Sequence, residues 1–243
     1  MKQIAFLCFL LSGYYFPAQA QHDKMNDIKL NVSSLAVRNY HLTYERALSR
    51  RFSVGLGMRY MSKGDLPFKK QFRKSIKSDK VNLDEFQIGN FALTPECRMY
   101  MGKGLMHGFY ISVYGRYTSF DLTAPIQFTG NGGTTEQALF DGKVTSFSGG
   151  LMFGVQYTLW KVVVLDIMLL GGHYGGCSGT LHANNINPPL SEQDQQSLQQ
   201  SLDDIHAKPF HISGQVQSST QAVIKASGPW AGVRSGINLG VRF

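Results

Sequence analysis

Cysteine is scarce in this chain: three in 243 residues. Cys8 sits inside an apolar N-terminal stretch and not at its cleavage end, which argues against a lipid-modified cysteine. Cys97 and Cys177 remain, and two cysteines would fit one disulfide in an oxidising compartment. The strand assignment below separates them: Cys97 falls near the inner end of one strand and Cys177 beyond the outer end of another. That is farther than the roughly 7 Å between Cα atoms that a disulfide tolerates. Long apolar runs are also missing. The best is Val162 to Leu170, interrupted by Asp166, against about 18 residues for a membrane helix. Acidic residues are few, 16 against 24 Lys and Arg, for a net charge of +8. Such a balance first suggests nucleic acid, but the secreted address argued next makes lipid phosphates the expected anions and no nucleic acid the expectation. His182, His206 and His211 lack metal-ligand spacing, and no cofactor is expected.

The N-terminus reads as a secretory signal over residues 1–20. Lys2 supplies the charge, residues 4–15 are largely apolar, and Ala18-Gln19-Ala20 is a small-residue cleavage site. Residues 21–243 then form one domain.

Within that domain the dominant pattern has period two. Counting back from Phe243, the residues Val241, Leu239, Ile237 and Val233 alternate with Arg242, Gly240, Asn238, Gly236 and Arg234. One face is large and apolar, the other small, polar or charged. The same alternation recurs from Asp27 to Ala36, with Val32 on the outward face, and in strands starting near Asn39, Phe52, Gln87, Phe109, Leu151 and Val163. Pro95 predicts a bulge or bend in the strand from Gln87. Connections after the second, fourth and sixth strands are tight, whereas 63–84, 124–141 and 179–221 are long. Apolar residues on the outer face, an even strand number and alternating short and long connections predict an all-β fold, an eight-stranded antiparallel up-and-down transmembrane β-barrel with long outer loops. The expected location is the outer membrane, with both termini periplasmic. Phe243 is expected to be the assembly signal read by the barrel assembly machinery. A lipocalin-like barrel would need the opposite sidedness.

The inward parity collects Lys29, Glu45, Arg59, Glu96, Arg98, Arg116, Asp166 and Arg234. An eight-stranded barrel has room inside only for side chains, and buried charges must pair. These eight are therefore expected to form a lumen charge network, a plug in preference to a narrow pore. Tyr100, Tyr110, Gln156 and Leu170 are also assigned inward. The turn Trp160-Lys161 sets Gln156 opposite Asp166, and counting across 102–108 sets Glu96 opposite Tyr114.

Two loops carry helical patterns. In the first, Asp65-Leu66-Pro67 resembles a cap, and Phe68, Phe72 and Ile76 recur every fourth residue among Lys69, Lys70, Arg73, Lys74 and Lys77. This basic amphipathic segment is a candidate for contact with outer-membrane lipid and glycolipid phosphates. In the third, Pro188-Pro189 precedes Ser191 as N-cap with Asp194 at N3, and Leu198, Leu202 and Ile205 share a face. His211-Ile212-Ser213, with Asp203 or Asp204, is the best candidate for a lipid-modifying hydrolase, and it is a weak one.

Several stretches, Tyr44-Glu45-Arg46-Ala47-Leu48, Leu93-Thr94-Pro95-Glu96-Cys97-Arg98-Met99-Tyr100, Gly108-Phe109-Tyr110-Ile111 and Leu239-Gly240-Val241-Arg242-Phe243 among them, together resemble a family of small outer-membrane β-barrel proteins from Bacteroidota, a domain of unknown function. The likeness runs over nearly the whole mature chain. Cys97 departs from the usual residue between the Glu and the Arg. The resemblance implies a fold and a location and supplies no catalytic residues. The expected function is a structural or surface-interaction role with an unknown surface partner; the alternatives are a lipid-modifying enzyme or a small pore.

Overall fold

The computed structural model describes residues 24–65, 81–131, 133–205 and 208–243. The expected signal peptide and the basic segment Lys69, Lys70, Arg73, Lys74 and Lys77 lie outside the described residues.

Nine strands form one antiparallel sheet that closes on itself. They are β1 (Asn26–Asn31), β2 (Asn39–Ala47), β3 (Phe52–Asp65), β4 (Gln87–Tyr100), β5 (Gly108–Thr129), β6 (Thr135–Leu159), β7 (Val163–Asn184), β8 (His211–Ser218) and β9 (Gln221–Arg242). Sequential neighbours pair from β1 to β7, β7 pairs with β9, and β9 pairs with β1 to complete the ring. Eight strands make the ring, as the alternation predicts. The ninth, β8, is an addition that pairs only with the first part of β9. Asn26 and Phe243 exchange backbone hydrogen bonds of 3.0 and 2.8 Å. Asn26 and Phe243 therefore lie at the end of the ring with the tight turns, called the lower end here.

The Trp160-Lys161 turn has positive φ at both residues, 49° and 62°, the twist that favours two-residue hairpins. It fixes the expected register Gln156↔Asp166, and Glu96↔Tyr114 is likewise found. Several expectations fail. β1 stops at Asn31, whose side chain caps a helical turn, α1 (Val32–Leu35), so Val32 is not in a strand. Pro95 makes no bulge: β3 pairs straight past it, and β4–β5 skips it without changing register. β7 instead carries a register shift, between Met168 and Gly171. It turns both Leu169 and Leu170 outward, so Leu170 is not in the lumen and His173 is. Residues 124–141 are not a loop, since β5 and β6 continue through them to a short connection. Residues 179–221 hold the end of β7, a helix and β8.

That helix, α2 (Glu192–Asp203), starts at the predicted capping box. Ser191 accepts from the Asp194 backbone, and the Asp194 carboxylate accepts from Ser191. Leu198 and Leu202 are buried against β5 and β8, so α2 fills the space between them. At the lower end, Met106 folds under the opening and is 1% exposed.

Candidate functional site

The lower lumen is filled by charge. Lys29 Nζ donates to Glu45, to Gln156 Oε1 at 2.8 Å and to Asp166 Oδ2 at 3.0 Å. Arg98 reaches Asp166 Oδ2 at 2.8 Å, Glu96 Oε1 at 2.6 Å and Glu45 Oε2 at 3.3 Å. Arg234 Nη1 holds the other Glu96 oxygen at 3.0 Å. Arg242 forks onto Asp27 at 2.7 and 2.9 Å, and Gln156 Nε2 ties the same carboxylate to the network at 2.8 Å. Tyr100 donates to Glu45 at 2.7 Å and Tyr110 to Asp166 at 2.8 Å. The Tyr110 ring lies over Gly154, where a Cβ would sit 2.3 Å from it.

The network is electrically balanced. Its cations are Lys29, Arg98, Arg234 and Arg242, and its anions are Asp27, Glu45, Glu96 and Asp166, four of each. Removing such charges from water costs several kcal/mol per ion, offset only when each is paired and hydrogen-bonded. Here the side chains are nearly inaccessible, and all but Arg234, which has one bond to Glu96 and lies over the Tyr114 ring, make two or more hydrogen bonds, so the lower ring is filled.

Six of the eight predicted lumen residues meet in this network: Lys29, Glu45, Glu96, Arg98, Asp166 and Arg234. Arg59 and Arg116 share the inward parity but stand one level higher. Arg116 Nε meets only the Thr118 hydroxyl at 3.2 Å, and Arg59 Nε is buried with no acceptor among the described residues. They flank a cavity of about 410 Å³ whose upper walls are Ile88, Phe120, Leu122, Val144 and Trp230. Parity had already placed Gln156, Tyr100 and Tyr110 inside. The Asp27–Arg242 pair was missed because it depends on β1 meeting β9, which no local pattern encodes.

The remaining candidates are scattered. His211 and Ser213 are exposed on β8 with no hydrogen bond between them, and Gln199 donates to Asp203 at 2.9 Å. Cys97 and Cys177 are free, Cys177 lying within β7 and not beyond it. Phe243 is half exposed at the lower rim. No cluster among the described residues could hold a metal ion.

Residues 4–178 match the model of the family described as Protein of unknown function (DUF3575). Neither a curated protein nor a solved structure matches the chain.

Proposed function

The chain belongs to this family of proteins of unknown function, and from its geometry we propose that it is an outer-membrane β-barrel with a plugged lumen and a structural or surface-interaction role. The carrying observation is the inverted sidedness of the lower ring. Leu42, Leu56, Met58, Val113, Leu151, Phe153, Ile237 and Leu239 face outward and are exposed, while Lys29, Glu45, Arg98 and Asp166 are buried inside. Water as the outer solvent would make that arrangement costly on both faces; lipid makes it favourable.

Aromatic residues bracket the apolar surface. Tyr40, Tyr60, Phe91, Phe147 and Tyr174 edge it above, and Phe52, Phe109, Tyr157, Trp160 and Phe243 edge it below. At roughly 3.3 Å per residue and a tilt of roughly 40°, the strand from Phe147 to Tyr157 rises about 25 Å, the height of a lipid-facing band between aromatic girdles. Just above it, Lys63 bridges Asp121 at 2.9 Å and Asp141 at 3.1 Å on the exposed surface. In this reading the termini are periplasmic, residues 1–20 are removed, and the basic segment around Lys69 to Lys77 faces outer-leaflet glycolipid.

Fractionation of the producing cell tests the proposal. A heat-modifiable band in the outer membrane is expected, and deleting Phe243 should lower it. Planar-bilayer recording should give no steady conductance. Recovery in the soluble periplasm would overturn the membrane assignment, and steady conductance would overturn the plug.

A further inference from the structure

The cavity above the network has a surplus of positive charge. The four cations below already match four carboxylates, so Arg59 and Arg116 have no counter-ion there, and no acidic side chain among the described residues lines the cavity. Three buried polar atoms around it, Arg59 Nε, Asn90 Oδ1 and His173 Nδ1, lack partners among the described residues. Two guanidinium groups brought together without a carboxylate repel each other, and an anion bound by both removes that repulsion while satisfying their forked donors. Directly above, the lining becomes apolar, and the Phe120 and Trp230 rings pack at a tilt of 57° with centroids 5.1 Å apart.

We propose that this cavity binds a single-chain amphiphilic anion, with a carboxylate or phosphate head group between Arg59 and Arg116 and an apolar chain against Phe120, Leu122, Val144 and Trp230. Its volume of about 410 Å³ lies in the range of roughly 300–1,000 Å³ typical of small-molecule sites. The wall offers a way in. β9 pairs with β1 only up to Asn238 and with β8 only from Ser227 backwards. Between them one edge of β9 has no strand partner among the described residues. Val233 lies on that stretch, is 82% exposed and also lines the cavity. At membrane depth, backbone without a strand partner is tolerated where it is buried in protein or lines a water-filled cavity.

Binding in a detergent micelle does not depend on where the chain resides in the cell, so failure here and failure of the membrane assignment are distinguishable. The test uses the whole mature chain folded in a neutral maltoside, in a Trp160→Phe background, so that emission reports on Trp230. Hexadecanoate, hexadecyl phosphate, hexadecanol and inorganic phosphate are titrated in turn. Both amphiphilic anions should change the emission saturably, at least tenfold more tightly than hexadecanol, and the tighter of the two identifies a fatty-acid or a phosphate-headed source. Arg59→Gln with Arg116→Gln should weaken both anions at least tenfold and leave hexadecanol unaffected. Arg59→Lys with Arg116→Lys should keep most of the anion preference, and heat-modifiable migration shows that each variant is folded. Equal affinity for hexadecanol, full competition by inorganic phosphate alone, or unaltered anion binding by the folded Gln variant would each overturn the proposal.

Discussion

The lower and upper halves of the ring are built from the same strands with opposite chemistry. Along β5 the even-numbered side chains point inward from Tyr110 to Phe128. Tyr110 donates to Asp166 beneath Arg98 and Tyr114 lies beneath Arg234, whereas Ala124, Ile126 and Phe128 join an apolar core with Phe140, Leu181, Leu198 and Ile224. The outer face changes in the reverse sense. Below it carries Phe109, Val113 and Tyr117; above, on the paired β6, it carries Gln137, Asp141 and Lys143. No break in the backbone marks the change. Strand parity therefore tells which way a side chain points, and only residue type tells what surrounds it. The upper half has the sidedness of a sheet with an apolar interior and a polar exterior; the lower half is its inverse.

Charge deletion should separate the halves most strongly. Asp166→Leu strips Lys29, Arg98 and Tyr110 of a common acceptor. A loss of about 3–5 kcal/mol is expected when one partner of a buried ion pair is removed, read as a lower unfolding midpoint in detergent. An unchanged midpoint would mean that the network does not hold the lower half together.

Leu198→Ala acts on the other half. Leu198 is completely buried on the inner face of α2, and large-to-small changes in cores cost about 2–5 kcal/mol. The expected result is faster protease cleavage and amide exchange around α2 and β8, with heat-modifiable migration of the lower ring retained. Loss of both together would show a single cooperative unit.

Ser191→Ala removes the N-cap and should cost about 1 kcal/mol, seen as faster exchange in the first turn of α2. Acid has a weaker effect at the same place. The Ser191 hydroxyl, donating at 2.6 Å, holds the Asp194 carboxylate below its ordinary pKa. A depressed carboxylate stabilises the fold above its unfolded value, about 3.9, and that contribution is lost as pH falls through the folded value. Amide protection at the start of α2 should therefore decline below about pH 4 while that of β2 and β4 persists. Parallel decline would contradict the assignment.

The sequence was most legible where a turn or a solvent contrast imposed a single answer. Trp160-Lys161 fixed Gln156 against Asp166, and the apolar-out rule found the ring strands of the lower half. The same rule hid the upper half. Ile126, Phe128, Ala138 and Phe140 are apolar on the inward parity, so a search for apolar residues on the outward parity read these strands as loop. The extra residue in β7 carries no proline or charge that would announce it, which is why Leu170 was assigned to the wrong face. Arg59 and Arg116 share their parity with Arg98 and Arg234. Only height along the strands separates paired arginines from unpaired ones, and height depends on the shear of the closed ring.

The contrast between the halves is tested most directly by placing one charge on each outer face. Val113, in the middle of the lower band, is 60% exposed, and Leu139 on the upper part of β6 is 50% exposed. If both faced water, Val113→Arg and Leu139→Arg would be about equally harmless. If the lower band faces lipid, Val113→Arg should cost about 2–4 kcal/mol in folding into phospholipid vesicles, while Leu139→Arg should leave the folding free energy unchanged to within about 0.5 kcal/mol. Equal free energies for the two variants would contradict the account.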